Sequence, residues 1–166
     1  MTSARLHRGV YPGTFDPLTL GHLDIITRAS GLFEETILSV ADSRQGALFS
    51  VDERVEMARE AVSGLDGVKV GSFAGLLVDH VHELGTTYVI RGLRAVSDFE
   101  FELSMALTNR SMDPDFDTIF LVASSEFIFL SASVVREVAT LGGDISKMVP
   151  KTVADHLARK FPSPTS

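Results

Sequence analysis

The residue types that could carry out chemistry in this sequence lie in a few short stretches. The first is the turn Pro12–Pro17, which follows an apolar run and leads through Thr19 and Gly21 to His22. Thr14 offers a hydroxyl and an amide, and glycine lets the backbone approach a ligand closely. We expect His22 at or near the start of the next helix, where free N–H groups and the helix dipole favour anions. The stretch therefore predicts a phosphate site, whereas a histidine standing alone would favour a capped turn with a surface side chain.

Two arginines follow another strand-like run, Thr87–Arg91. Gly92 and one further residue separate Arg91 from Arg94, and Glu102 falls within the next expected helix. Guanidinium groups can fork onto phosphate oxygens, and the glycine permits close approach of the backbone. The alternative is a solvated helix start with arginine–carboxylate pairs, which would contribute little to stability.

A third polar stretch comes late in the chain, where Ser131 and Ser133 precede a helical run that Gly142 ends. Serine hydroxyls and free amides at a helix start form a cradle for anions, and Arg136 falls within the first turns. An ordinary N-cap is the commoner use of such serines. The stretch is therefore a second candidate phosphate site.

Composition limits the classes of function. The chain has 166 residues, 45% apolar and 22% charged, which fits one globular domain with its own core. It contains no cysteine, which excludes disulfides, thiolate nucleophiles and zinc–thiolate sites. Its net charge of −7 argues against nucleic-acid binding. We expect neither a signal peptide nor a membrane segment, because no apolar run approaches bilayer length, and so we expect a cytoplasmic protein.

Strand-like runs alternate with amphipathic helical runs along the chain. The predicted strands are Leu6–Tyr11, Thr36–Ala41, Val68–Phe73, Thr87–Arg91 and Thr118–Val122. This alternation predicts an α/β fold with a single doubly wound parallel sheet, in which ligands bind beyond the carboxyl ends of the strands. One domain is expected over residues 1–161, with a disordered tail over 162–166.

Helix boundaries are also indicated by the sequence. Two capping-box patterns, Ser50 with Glu53 and Ser97 with Glu100, predict helix starts. The pair Gly142-Gly143 predicts a helix end. Proline suits the first turn of a helix, which places Pro150 at the start of the last one.

Two of these motifs resemble a known family. The turn from Gly13 to Pro17, followed by Thr19-x-Gly21-His22, resembles the (H/T)xGH nucleotidyltransferase superfamily. The string RGLRAVSDFEFE closely resembles the signature of bacterial phosphopantetheine adenylyltransferases, with Phe101 where that family usually has tyrosine. The resemblance covers nearly the whole chain. It implies a Rossmann-like nucleotidyltransferase fold, and family members are generally homohexamers.

The resemblance also implies a reaction. AMP would pass from ATP to 4'-phosphopantetheine by direct in-line attack, without a covalent enzyme intermediate, giving dephospho-coenzyme A and pyrophosphate. Mg²⁺ would bridge the ATP phosphates, and no dedicated set of protein metal ligands is expected.

Roles for individual residues follow from the same resemblance. The catalytic candidates are Thr14, which would orient the attacking phosphate, and His22, which would donate to the α-phosphate of ATP. On the phosphopantetheine side the candidates are Thr14, Arg91 and Leu77. The candidates for ATP binding are Thr14, Phe15, His22, Gly92, Leu93, Arg94, Glu102, Phe127, Ile128, Phe129, Leu130, Ser131, Ala132 and Ser133.

The chain departs from the family pattern in two places. Ala132 replaces the middle serine of the family's ISSSxxK/R motif, which leaves only backbone groups there. The loop after the second strand lacks the family's lysine that contacts the acceptor phosphate, and we predict that Arg44 takes its place. Two alternatives stay open: another adenylyl- or cytidylyltransferase of this fold, such as a nicotinate-mononucleotide enzyme, and a catalytically silent nucleotide-binding module.

Overall fold

The five predicted strands are present and form one sheet. The computed structural model describes residues 5–42 and 46–162. The strands are β1 Leu6–Gly13, β2 Phe33–Ala41, β3 Val68–Phe73, β4 Tyr88–Leu93 and β5 Asp117–Val122. The helices are α1 Leu20–Leu32, α2 Val51–Ala61, α3 Leu77–Glu83, α4 Val96–Met112, α5 Ala132–Thr140 and α6 Lys151–Lys160, with a 3₁₀ turn at Ser125–Phe127. Arg44 and residues 163–166 of the expected tail lie outside the described residues.

The sheet is parallel throughout, with the strand order β3-β2-β1-β4-β5. The chain runs outward from β1 to β3 on one side and then crosses to β4 and β5 on the other. The strand order therefore reverses between β1 and β4, which is where open α/β sheets bind ligands beyond the carboxyl ends of their strands. The predicted α/β class with a doubly wound sheet is confirmed.

Alternate strand residues supply two separate cores, as a pleated strand requires. Tyr11, Leu38 and Ile90 belong to the larger core, which packs against α1, α2, α5 and α6. Their neighbours in the chain, Val10, Ile37 and Val89, belong to a smaller core on the other face. That second face is covered by α3 and by Phe116, so the two sides of the sheet are unequally protected.

Helix α4 covers little of the sheet although it is the longest helix described. Among its side chains that the structure describes, only Glu102 and Asn109 are buried, and both are polar. Its exposed apolar side chains are Val96, Phe99, Phe101, Leu103, Met105, Leu107 and Met112. A long helix with this pattern has an apolar surface that the single chain does not bury.

Of the four helix boundaries predicted from local patterns, those at Ser50 and Gly142-Gly143 are confirmed and two are corrected. Ser50 caps α2 in the expected reciprocal box with Glu53. The prediction that Ser97 is a cap is wrong, because α4 begins at Val96 after the extended residue Ala95. Pro150 is the N-cap residue of α6 and not part of its first turn. These shifts are of one or two residues and leave the topology unchanged.

Candidate active site

A cavity of about 680 Å³ opens at the carboxyl ends of β1 and β4. Its walls are formed by the turn after β1 with the start of α1, the connection from β4 into α4 and the segment that leads into α5, with Gly46 and Ala47 at one edge. All three of the polar stretches singled out in the sequence therefore meet at one place. The volume suits a ligand of nucleotide size.

The turn after β1 is folded tightly over its own aromatic ring. Phe15 is buried and has a φ of 48°, which is the left-handed region that a bulky residue rarely adopts. A Cβ on Gly13 would lie 2.8 Å from the Phe15 ring, so only glycine leaves room for the ring there. The ring packs edge-on against His22, with 5.1 Å between centroids. The turn thereby exposes Thr14 to the cavity and helps to fix the imidazole.

His22 is the third residue of α1 and takes part in a capping box with Thr19. The Thr19 hydroxyl accepts from the His22 N–H at 3.3 Å, and His22 Nδ1 accepts from the Thr19 N–H at 3.0 Å. Because Nδ1 is the acceptor, the ring proton of the neutral imidazole is on Nε2. Burial, with smaller contributions from the Arg94 and Arg91 charges, lowers the pKa of His22 to about 4. At neutral pH His22 is therefore an uncharged donor.

Asp16 connects the turn after β1 to two other segments. Its buried carboxylate accepts from the N–H groups of Leu48 at 2.7 Å and Phe49 at 3.0 Å. Arg136 of α5 forms an ion pair with the same carboxylate at 3.5 Å. The start of α2, the turn and α5 are therefore held together by one acidic residue.

The Arg91 side chain donates hydrogen bonds to two different elements of the protein. Its Nε and Nη2 each donate to Glu102 at 2.6 Å, and its Nη1 donates to the carbonyl of Pro12 at 2.9 Å. Burial lowers the pKa of Arg91, but the hydrogen bonds and charge of Glu102 outweigh this and leave the pKa above its usual value. The pair links the end of β1 to α4 and lines the cavity.

Arg94 makes a second, more exposed arginine–carboxylate pair. Its Nε lies 3.1 Å from an oxygen of Asp98, one turn into α4, and its Nη1 donates to the carbonyl of Leu130 at 2.8 Å. The side chain therefore joins the β4–α4 connection to the segment before α5. Gly92 packs closely nearby, since a Cβ there would lie 3.2 Å from the Ile25 side chain.

The serine segment is a capped helix start that faces the cavity. The Ser131 hydroxyl accepts from the Val134 N–H at 3.2 Å and lies 3.0 Å from the Ser133 hydroxyl. Ala132 is the first residue of α5, so its N–H belongs to the helix terminus that can face an anion. Ser131 is therefore an N-cap, the commoner use of such serines, and it also lines the cavity, where a contact with phosphate stays a prediction.

The structure brings most of the predicted site residues together. The cavity is lined by Thr14, Phe15, His22, Arg91, Gly92, Arg94, Glu102, Phe127, Leu130, Ser131, Ala132 and Ser133. Leu93, Ile128 and Phe129 adjoin it in the chain but do not line it. Leu77 packs against the smaller core, outside the cavity. Arg44 falls in the segment that is not described, between two segments that are.

Sequence reasoning missed several residues at the site. Tyr11, Asp16 and Asp98 line the cavity, and Thr19 orients His22. The role of Thr19 could have been predicted from the sequence, because Ser or Thr three residues before a polar side chain is the pattern of a capping box. The usual partner in that pattern is Glu or Gln, whereas here it is His22. Asp16 makes its contacts across more than thirty residues of sequence, and no local pattern announces them.

The described residues contain no group of three or more histidine, aspartate or glutamate side chains arranged to hold a metal ion. In the same part of the chain, no helix has both the length and the apolar character to cross a bilayer.

Comparison with known proteins identifies first a class and then a family. A family model described as cytidylyltransferase-like matches residues 10–138. A candidate nicotinate-nucleotide adenylyltransferase from Vibrio parahaemolyticus has a similar structure, with a TM-score of 0.72 over 96% of this chain and 97% of that one. At 15% identity, this likeness concerns the fold alone.

Relatives identified by sequence assign the chain to a narrower family. A phosphopantetheine adenylyltransferase from Methylococcus capsulatus is 52% identical over 92% of this chain and 94% of its own length. Another, from Synechococcus, is 50% identical over 94% of this chain and 98% of its own. The chain therefore belongs to the cytidylyltransferase-like family and, within it, to the phosphopantetheine adenylyltransferases.

Proposed function

We propose that this protein transfers AMP from ATP to 4'-phosphopantetheine, giving dephospho-coenzyme A and pyrophosphate. The observation that carries the proposal is the convergence of Thr14, His22, Arg91, Arg94 and the α5 terminus on one cavity. The names of the relatives give the substrates, and the cavity offers donors for two phosphate-bearing ligands.

The reaction requires positioning and charge compensation more than it requires a base. The acceptor phosphate is already ionised at neutral pH and can attack the α-phosphorus of ATP in line, with pyrophosphate leaving. Negative charge grows on the oxygens around that phosphorus. His22 can donate its Nε2 proton in a hydrogen bond to one of them, which is the kind of contact that strengthens in the transition state.

The two substrates are assigned to different groups of residues in the cavity. Arg94, Asp98 and the serine segment form the ATP side, where the N-terminus of α5 meets phosphate oxygens. Thr14 and Arg91 face the acceptor. Arg91 stays charged because Glu102 pairs with it, so a phosphate would meet a guanidinium that is already oriented.

Magnesium fits this site as an ion carried by the nucleotide. The carboxylates that line the cavity, Asp16, Asp98 and Glu102, are each already paired with an arginine. ATP oxygens and water would therefore supply most of the ligands of Mg²⁺, which matches its preference for phosphate and water. The ion would neutralise phosphate charge during the transfer.

We also propose that the protein acts as a homohexamer in the cytoplasm. The family resemblance suggests six copies, and the apolar surface of α4 supplies a face for a second copy to cover. Light scattering should give a mass six times the 18.0 kDa of one chain. Leu107→Glu, on the side of α4 that also exposes Val96, Phe99 and Leu103, should lower the mass, whereas the matched change Leu32→Glu on α1 should not. Equal masses for both variants would remove α4 from the interface.

The proposed reaction can be tested by identifying the product. The protein, ATP, Mg²⁺ and 4'-phosphopantetheine are incubated, and the mixture is analysed by mass spectrometry. Dephospho-coenzyme A and pyrophosphate should appear in equal amounts with the wild type. Absence of the adenylylated product from a folded wild-type preparation would contradict the proposal and favour a silent nucleotide-binding module.

A further inference from the structure

One arginine is buried beneath the cavity without a carboxylate partner among the described residues. Arg54 of α2 is 1% exposed and ranks with the largest fully buried side chains. Its Nη1 donates to the carbonyls of Thr14 at 2.7 Å and Ala41 at 2.9 Å, and its Nε donates to the carbonyl of Phe49 at 3.1 Å. A buried charge is costly unless it is hydrogen-bonded, so these three carbonyls are what keep the guanidinium inside.

The three carbonyls belong to three different segments at the acceptor side of the cavity. Thr14 is in the turn after β1, Ala41 ends β2, and Phe49 precedes the cap of α2. Ala41 and Phe49 flank the loop after β2 on both sides. Asp16 completes the arrangement, because it accepts from the Phe49 N–H while Arg54 binds the Phe49 carbonyl. A buried cation and a buried anion therefore fasten Phe49 to the turn, and the cation also holds Ala41.

The contact with Thr14 also sets the direction of a donor. In a trans peptide the carbonyl and the following N–H point in opposite directions. Arg54 binds the Thr14 carbonyl from the protein interior, so the N–H of Phe15 is turned the other way, toward the cavity that Thr14 and Phe15 line. Phe15 holds this peptide with a φ of 48°, a conformation that persists only where surrounding contacts enforce it.

We propose that Arg54 is a positioning residue for the transfer reaction. It holds the Thr14–Phe15 peptide together with Ala41 and Phe49, so that backbone and side-chain donors of the turn are aimed at the reacting phosphates. Arg54 does not line the cavity and acts through the groups that it holds. The proposal rests on the proposed function for its kinetic test.

The kinetic test compares Arg54 with a buried neighbour that holds no loop. Arg54→Met removes the three hydrogen bonds, and Arg54→Lys keeps the charge but cannot reach all three carbonyls at once. Met57→Ala on the same helix serves as the control for lost stability, since Met57 is fully buried among apolar residues. Thermal unfolding of each variant and its kcat and KM for both substrates are measured at a temperature where all are folded.

Arg54→Met should lower kcat at least about tenfold, since a displacement of about 1 Å of reacting groups can cost more than that. Its KM for ATP should stay within about threefold, because Arg94, Asp98 and the serine segment, which provide most of the proposed ATP contacts, are not among the hydrogen-bond partners of Arg54. The kcat of Arg54→Lys should lie between the kcat of Arg54→Met and that of the wild type. Met57→Ala should keep the wild-type kcat although its melting temperature is similar to, or lower than, that of Arg54→Met. An Arg54→Met or Arg54→Lys enzyme with unchanged kcat, or a Met57→Ala enzyme with an equal loss, would overturn the proposal.

A binding readout separates this proposal from the reaction itself. In the wild type, ATP should shift the Phe15 amide resonance in a ¹H–¹⁵N spectrum, and in Arg54→Lys this shift should shrink while ATP still binds. If the wild type transferred no AMP to phosphopantetheine, the proposed function would fail and the amide shift would still decide the role of Arg54. A Phe15 shift that is the same in both proteins would overturn that role.

Discussion

The two walls of the cavity are built in different ways. On the β1–β2 wall, which comprises the turn after β1, residues 46–49 before α2 and the start of α1, polar groups are held by fully buried side chains. Asp16 and Arg54 bind backbone groups there, and His22 is fixed by Thr19. On the β4–α5 wall the contacts are arginine–carboxylate pairs that are partly open to solvent.

This difference indicates how each wall meets its ligand. The β1–β2 wall is preorganised, because its donors are aimed before any substrate arrives. On the β4–α5 wall Asp98 and Glu102 already pair with Arg94 and Arg91, so the guanidinium groups are oriented and phosphate oxygens meet the N–H groups that the carboxylates do not use. A change on the first wall should therefore affect the chemical step, and a change on the second should affect binding.

The largest effect is expected at the imidazole of the preorganised wall. His22→Ala should lower kcat by at least about a hundredfold with little change in the Kd of either substrate, the range for losing one transition-state donor. Steady-state kinetics and calorimetric titration measure the two quantities. A variant with near-normal kcat would remove His22 from the mechanism and leave the wall with no distinctive role in the chemistry.

On the β4–α5 wall, we expect Arg91 and Arg94 to contribute to the binding of different substrates. Arg91→Ala should weaken phosphopantetheine more than ATP, and Arg94→Ala should do the reverse. Each charge-assisted contact is worth about 1.5–3 kcal/mol, so each Kd should rise about tenfold or more. Calorimetric titration of each ligand into each variant tests this. Equal losses for both ligands in both variants would contradict the assignment of phosphopantetheine to Arg91 and of ATP to Arg94.

A smaller effect is expected from the loop after β2. If Arg44 takes the place of the family's lysine, Arg44→Ala should lower kcat/KM for phosphopantetheine by about tenfold, since one charged contact is worth about 1.5 kcal/mol or more. ATP binding measured alone should barely change. Arg59→Ala, an exposed arginine on α2, is the matched control. An unchanged kcat/KM in Arg44→Ala would leave this loop without an assigned cation.

The last prediction concerns a different quantity, the pH dependence of stability. The pKa of His22 is lowered from 6.5 to about 4 in the folded protein, so between these values the unfolded chain binds more protons. Stability from this group is therefore complete above pH about 6.5 and is lost as the pH falls toward 4. Chemical unfolding of the wild type and of His22→Gln should converge in this window. Parallel curves for the two proteins from pH 7 to 4.5 would show that His22 is not held neutral.

Much of this molecule was predictable because its signals are local. Strand periodicity, the capping pattern at Ser50 and the glycines after α5 depend on neighbouring residues, and each leads to the observed element. The turn at Thr14 and the arginine stretch were also recognisable as candidate phosphate sites. Strand order then brings these stretches together at the switch between β1 and β4.

The features that could not be predicted from the sequence depend on contacts between distant segments. The pairing of Arg91 with Glu102 and the burial of Arg54 are fixed only when the strands and helices are packed. For Ser97, a local pattern was misleading, because the extended residue that precedes α4 is Ala95. Leu77 is apolar, and its sequence pattern could not distinguish a core position from a ligand contact.

The most direct test of the account is a comparison of acceptors. Pyrophosphate release from ATP is measured with 4'-phosphopantetheine, nicotinate mononucleotide and glycerol 3-phosphate under identical conditions. The account predicts rapid release with phosphopantetheine and kcat/KM lower by at least about a hundredfold with the other two, since a site built for one acceptor leaves polar groups unpaired with another. Comparable or higher kcat/KM with nicotinate mononucleotide would contradict it.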